Sequence, residues 1–333
     1  MEYRSLGRTG MVVSVACFGT MTFGWDPDDW GTPEDECEQL VDAAIDRGVN
    51  FFDTADVYAR GASETILGKA IKKKRDSLVI ATKCHGKMSD NDPNMFGNSR
   101  RNIIQACEAS LKRLKTDWID LYQIHRPQPQ VPIDETLRAL DDLIKAGKVR
   151  YAGCSTYGAW QACEAHYVAK ALGLAGFVCE QPPYNLLDRR IERELLPFLR
   201  TYEYGCIPWS PLAGGILSGK YFGKTSGARY SKSDPQKRVN ARTMDAVRRY
   251  KKIAERYEVS MTQLALAWVA GQPGVTAPII GARSVKQLDE SIKACLTRLP
   301  ARALESIDKV LDPGDYLINY YASNFGPNAR PNA

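Results

Sequence analysis

Four ionisable residues fall at or just after the ends of apolar runs. Asp53 lies in FFDTADVY, Tyr58 five residues on, Lys83 ends VIATK and His125 ends DLYQIH. A charge at the end of an apolar strand is costly unless it is partnered. Groups of this kind on neighbouring strands are therefore expected to meet. The chemistry that suits the set is proton transfer to a carbonyl oxygen. A free tyrosine titrates near ~10, too high for easy donation at neutral pH. A buried Lys83 cation beside Tyr58 favours the phenolate over the phenol. Asp53 keeps that cation charged by pairing with it, and His125 donates a hydrogen bond that orients the substrate oxygen. None of the four can deliver a hydride, so a cofactor is required. Each residue has a plainer reading when taken singly: a strand-end cap, a loop aromatic, a snorkelling lysine, a satisfied core histidine. The four together are harder to explain away.

Elements that would position them alternate along the chain. Strands are expected near residues 14–19, 51–54, 78–83, 119–125, 149–155, 177–181, 206–210 and 276–281. Helices are expected at 32–48, 63–74, 100–114, 134–146, 159–172, 190–202, 243–257 with 261–270, and 285–296. Thr32-Pro33-Glu34-Asp35 reads as a helix start, with Thr32 as cap, Pro33 in the first position and Asp35 closing a capping box. Gly147, Gly173 and Gly205 stand where helix ends favour a left-handed residue. A short hairpin, turned at Gly7 to Gly10, precedes the first strand. Eight strand–helix units predict an α/β fold: a closed (β/α)8 TIM barrel, one domain over residues 1–333, with a C-terminal tail at 312–333. An open doubly wound sheet would carry a G-x-G-x-x-G turn after its first strand. Here that strand ends Phe18-Gly19-Thr20-Met21. Long loops follow strands one, three and seven, at the end where barrel active sites are built. The tail holds Tyr316, Tyr320, Tyr321 and Phe325, and either folds over that mouth or packs elsewhere.

The bulk numbers fit such a barrel. The chain has 333 residues, 44% hydrophobic and 25% charged, with a net charge of +6. That charge suits an anionic cofactor and is too weak to argue for nucleic acid. Nine cysteines without C-x-x-C spacing read as reduced thiols of a cytoplasmic protein. No signal peptide and no run of ~20 apolar residues is seen, so no membrane span is expected. His85, His125 and His166 lack ligand spacing, and no metal site is expected.

The motifs NFFDTADVY, VIATK, LYQIH, CST, EQPPYN, PWSPLAGGILSGKY and PIIGARSVKQLDES, taken together, resemble the aldo-keto reductase superfamily from about Tyr3 to Leu311. That resemblance implies that Tyr58 is the general acid/base, tuned by Asp53 and Lys83, and that His125 positions the carbonyl. It implies an extended nicotinamide cofactor. Thr20 and Met21, with Asp53, would lie beside the nicotinamide, and Ser155 and Gln181 would bond its carboxamide. Tyr184 or Trp209 would cover a ring face, Trp209 being favoured. Ser210, Pro211, Leu212 and Gly214 would line the pyrophosphate, with Lys220 supplying charge. Gly281, Arg283, Ser284, Gln287, Glu290 and Ser291 would hold the adenosine end. Arg283, at a helix start, can clamp a 2′-phosphate in bidentate fashion, which favours NADP(H) over NAD(H). Two positions depart from the family pattern: Thr156 and Ser291 stand where many members carry Asn. The basic stretch 220–242 reads either as a clasp over the pyrophosphate or as a solvated charged loop.

The resemblance implies reduction of aldehydes or ketones to alcohols, the partner being a small-molecule carbonyl or alcohol. Trp25, Tyr58, His85, His125 and Arg126, with Met95 and Phe96, are the candidates for its pocket. Aromatic faces beside His85 and Arg126 suit a polar ring such as a keto sugar or an oxidised natural product. EQPPYN and WSPLAGGILSGKY are also similar to the β subunits of voltage-gated potassium channels, which use this fold as a redox-reading partner. Those commonly lack the histidine kept here at His125, which shifts weight to a working enzyme. A homo-oligomer is left open.

Overall fold

The computed structural model describes residues 1–27, 30–223, 230, 234 and 237–320. β1 (Tyr3–Ser5) and β2 (Val12–Ser14) form an antiparallel hairpin. Strands and helices then alternate: β3 (Cys17–Gly19), α1 (Glu34–Asp46), β4 (Phe51–Asp53), α2 (Ala62–Ala70), β5 (Val79–Cys84), α3 (Arg100–Leu114), β6 (Ile119–Ile124), α4 (Ile133–Lys145), β7 (Val149–Ser155), α5 (Ala159–Leu172), β8 (Phe177–Gln181), α6 (Leu195–Thr201) and β9 (Gly205–Cys206). They are followed by α7 (Ala241–Arg256), α8 (Met261–Ala270), β10 (Ile279–Ile280), α9 (Val285–Leu296) and α10 (Ala301–Asp308). The eight strands from β3 to β10 are parallel, in the order β10-β3-β4-β5-β6-β7-β8-β9. Thr276 N donates to Cys206 O at 2.8 Å and Ile279 N to Pro208 O at 2.8 Å, so the two ends of the sheet meet. The (β/α)8 barrel is closed.

Two cores follow from the alternation of side chains across each strand. Inside the barrel, Cys17, Phe51, Ala81, Leu121, Cys179, Ile207 and Ala277 pack with Leu6 and Val13 of the hairpin, which plugs the lower end. Gly7 makes that plug possible. Its φ is +56°, and a Cβ there would lie 2.5 Å from Glu203 O and from Gly205 N. The larger core lies between sheet and helices and includes Phe18, Phe52, Ile80, Tyr122 and Cys154, facing Leu40, Ile103, Leu140 and Leu288.

Several local expectations are corrected. Pro33, not Thr32, caps α1, because Thr32 is drawn into a bridge with Phe23 and its hydroxyl donates to Thr22 Oγ1 at 2.9 Å. No capping box with Asp35 forms; Pro33 has no side-chain acceptor. The first strand divides between hairpin and barrel. Residues 190–202 hold a short 3-10 turn and then α6, since Pro197 cannot sit deeper than the first turn of a helix. β9 and β10 are only two residues each, because Pro208 and Pro278 cannot donate to a ladder. Gly147 (φ +72°) and Gly173 (φ +65°) are left-handed as expected, whereas Glu203 (φ +56°) takes that role in place of Gly205, which stays in β9. α10 is not among the helices expected from the sequence pattern.

Candidate active site

The upper layer of the barrel interior is polar where the lower layer is apolar. Asp53, Lys83, Gln123, Ser155 and Gln181 share the inward parity of Phe51, Ala81, Leu121, Gly153 and Cys179, two residues further toward the strand ends. Lys83 is fully buried and Asp53 nearly so. Lys83 Nζ donates to Asp53 Oδ1 at 2.5 Å, to Thr54 O at 2.7 Å and to Tyr58 OH at 3.4 Å. The other carboxylate oxygen, Asp53 Oδ2, accepts from Gln181 Nε2 at 2.9 Å and Gln123 Nε2 at 3.2 Å. Every charge in the cluster therefore has partners. Burial pushes the Lys83 ammonium down, but the Asp53 carboxylate and the Tyr58 hydroxyl outweigh it and hold it above its ordinary range.

Tyr58 is aimed by an unusual turn. It opens a 3-10 turn, Tyr58–Gly61, in which Ala59 (φ +47°) and Arg60 (φ +50°) are both left-handed. Non-glycine residues held there cost about 1–3 kcal/mol each and tend to mark functional sites. The His125 ring meets the Tyr58 ring edge-on, with centroids 5.8 Å apart. Burial first, then the cations Arg126 and Lys83, hold His125 well below its ordinary titration range. It is a neutral imidazole, able to donate one hydrogen bond without adding charge.

The remaining candidates fall around this cluster. Thr20 is buried, bonded to Asp53 O at 3.2 Å and to Ser63 Oγ at 2.9 Å. Ser155 Oγ donates to Gln181 O at 2.8 Å. Arg126 donates to Thr156 Oγ1 at 2.8 Å and more distantly to Ser155 Oγ, and lies over the Trp209 ring at 5.7 Å. His85 Nδ1 pairs with Asn98 Oδ1 at 2.8 Å and its ring packs on half-exposed Phe96. Burial pushes His85 down to about 4. Trp25 stacks on Trp30 and leaves 40% of its surface exposed.

After β9 the backbone is left-handed at Ser210 (φ +53°), Ala213 (+52°), Gly214 (+67°) and Gly215 (+92°). Such turns direct backbone N–H groups into an anion-binding concavity. A side chain on Gly214 would lie 2.6 Å from the Tyr230 ring, and one on Gly215 would collide with Lys220. Lys220 is pushed below its ordinary range by partial burial and by the Arg283 cation. Two cations held near each other at a glycine turn suit a polyanion. At the start of α9, Ser284 accepts from Gln287 N, and Gln287 Oε1 accepts from Arg283 N at 3.0 Å, so Ser284 and Gln287 act as caps. Glu290 accepts from Ser260 Oγ at 2.7 Å, and Ser291 is buried. Gly281 is exposed beside them, whereas Met21, Pro211 and Leu212 contribute no side-chain hydrogen bond. Residues 224–229, 231–233 and 235–236 of the basic stretch, and Tyr321 and Phe325, lie outside the described residues.

Three partners were missed in the sequence. Gln123 bonds Asp53, Thr156 holds Arg126, and Asn98 holds both His85 and the Arg126 carbonyl, the latter at 2.9 Å. Gln123 was accessible by parity, two residues before His125 on one strand face. Thr156 stood out only as a departure from the family pattern, and Asn98, in a turn, carries no comparable signal.

The model of the Aldo/keto reductase family matches residues 16–312. The chain belongs to the aldo/keto reductase family. It is 38% identical to the "Uncharacterized oxidoreductase YrpG" of Bacillus subtilis, covering 97% of this chain and 100% of that one. It is 39% identical to a Schizosaccharomyces pombe protein provisionally named as a voltage-gated potassium channel subunit beta, covering 96% of each. It is also 32% identical to the versiconal hemiacetal acetate reductase of Aspergillus parasiticus, over 95% of this chain and 100% of that one. Family and relatives support an oxidoreductase acting on small-molecule carbonyl compounds. Among the described residues, no helix is long and apolar enough to cross a membrane.

Proposed function

We propose that the chain is an NADP(H)-dependent cytoplasmic carbonyl reductase in which Tyr58 is the general acid. The observation that carries this reading is the Lys83 ammonium held between Asp53 Oδ1 and Tyr58 OH. When bound, the cofactor supplies the hydride that reduces the carbonyl carbon. The chain's own residues do the rest. The Tyr58 hydroxyl gives its proton to the carbonyl oxygen as negative charge develops there. Lys83, paired with Asp53, stabilises the phenolate left behind. Neutral His125 donates to the same oxygen and sets its direction. In the oxidative direction Tyr58 takes the proton back from the alcohol.

The donor set fits the cofactor. Ser155 and Gln181 suit a carboxamide, Trp209 a ring face, and the glycine turn with Lys220 a pyrophosphate. Arg283 at the start of α9 favours a 2′-phosphate there, with Gly281, Ser284, Gln287, Glu290 and Ser291 around the adenosine. Trp25, His85 and Arg126 are assigned to the carbonyl substrate, a polar ring such as a keto sugar or an oxidised natural product being the class favoured. The relatives named as potassium channel β subunits raise a second reading, a cofactor-binding regulatory partner. Retention of His125 beside Tyr58 favours the enzyme.

The test uses the purified chain with a panel of aldehydes and ketones. Steady oxidation of NADPH, faster than of NADH, is expected. Tyr58→Phe should lower turnover by about 100-fold or more while NADPH still binds. Turnover of wild-type size in that variant overturns the mechanism. Tight NADPH binding without turnover on any carbonyl favours the regulatory reading.

A further inference from the structure

Among the described residues, no hydrogen bond holds the Trp209 ring. Its backbone is fixed, with N donating to Pro182 O at 2.9 Å and O accepting from Tyr184 N at 3.3 Å. The indole N–H is buried without an acceptor among the described residues. Among the described residues, packing sets the ring's orientation. Arg126 lies over it, and the Tyr320 ring meets it nearly at right angles, 77°, with centroids 4.8 Å apart.

Tyr320 comes from the C-terminal segment, and that segment is clamped along its length. Arg189 N donates to Asp315 O at 2.9 Å, and Leu317 N to Leu187 O at 2.8 Å. Arg190, ion-paired with buried Asp188 at 2.6 Å, donates to Asn319 Oδ1 and lies over the Tyr316 ring at 4.3 Å. Arg189 donates to Leu311 O at 2.7 Å, where the segment leaves the barrel. Ile318 and Tyr320 are both buried, and Arg238 covers the Tyr320 ring at 4.3 Å.

We propose that Tyr320 is a positioning residue: the anchored segment 312–320 presses its ring against Trp209 and sets the face that Trp209 offers to the nicotinamide. Docking of the tail and binding of the cofactor are then linked, since whichever fixes Trp209 first spares the other that ordering. The cofactor part of the inference rests on Trp209 being the ring that covers the nicotinamide; the packing part does not.

Two measurements separate these parts. In the cofactor-free protein, the Trp209 fluorescence is taken as the difference between wild type and Trp209→Phe, and its quenching by acrylamide is read. Tyr320→Ala should raise that quenching about twofold or more, because an edge of the indole loses its cover. With NADPH as ligand, Tyr320→Ala should weaken binding by about three- to tenfold, the size of one aromatic pair. Tyr320→Phe keeps the ring and should rescue both readings. If Tyr320→Ala does not fold, Tyr320→Leu keeps the volume without the ring and takes its place. Quenching and NADPH affinity both within about twofold of wild type overturn the proposal, as does loss of affinity that Tyr320→Phe fails to rescue. Failure of the wild-type chain to bind NADPH overturns the functional reading instead, and quenching then decides alone whether Tyr320 positions Trp209.

Discussion

Lys83 keeps its charge with no part of its side chain open to water, and three acceptors explain how. A buried ion pair is weak evidence for stability, since removal from water offsets most of the attraction. It is better evidence for a site, where charge must be present before the reaction begins. His125 makes the complementary choice. Burial, with Arg126 and Lys83 nearby, keeps it neutral well below the ordinary imidazole range. A neutral donor does not compete with Lys83 for the developing phenolate. The kcat/KM for carbonyl reduction should therefore show no limb near pH ~6.5, where a free histidine titrates. His125→Gln retains a neutral donor and should lose about tenfold, against about 100-fold or more for His125→Ala. A limb near that pH in wild type, erased in the glutamine variant, would sink the neutral-imidazole assignment.

At the scale of elements, the barrel gathers residues far apart in sequence by one rule: the last inward position of each strand faces the mouth. This is why Asp53 and Lys83 were legible in the sequence, each ending an apolar run with the wrong polarity for a core, whereas Gln181 entered only through the family resemblance. The 3-10 turn that carries Tyr58 was not legible, because nothing in Tyr-Ala-Arg-Gly announces two left-handed residues ahead of the glycine. β9 and β10 were legible as strands but not in length, since Pro208 and Pro278 keep the chain extended while removing ladder donors. The strain at Ala59 has a use that can be measured. Ala59→Gly relieves a left-handed alanine and should stabilise the fold by about 1 kcal/mol. It also frees the turn that aims Tyr58 at Lys83, so kcat should fall severalfold while NADPH affinity stays level. A variant that is stabilised with undiminished kcat would show that the turn's strain is unrelated to catalysis.

At the scale of the whole molecule, buried titratable groups, both in the site and beside it, set how the fold responds to pH. Asp56 is fully buried, and neither carboxyl oxygen has a hydrogen-bond partner among the described residues. Burial, with nearby Glu64 adding to it, pushes Asp56 up to about 8. Burial likewise pushes Glu180 up to about 7. In the unfolded chain such carboxyls release their protons near ~4. Stability from holding those protons is complete below that pH and is lost progressively as pH rises toward about 7 for Glu180 and about 8 for Asp56. His85 and His125 act in the opposite sense. Their folded forms stay neutral while unfolded imidazoles charge below ~6.5, so their stability is present above that pH and lost as pH falls. The two pairs offset each other in mildly acidic solution. Above ~6.5 the histidines no longer contribute to the slope and only the carboxyls act. Stability should therefore be flat from pH ~5 to ~6.5 and fall by about 2–3 kcal/mol by pH ~8.5, with Asp56 supplying about 2 of that. Thermal melting at the two ends of that range reads it directly. Asp56→Asn has no proton to release there and should flatten the fall, whatever its effect on absolute stability. An equal drop in melting temperature in wild type and Asp56→Asn would mean that Asp56 is already ionised in the folded protein.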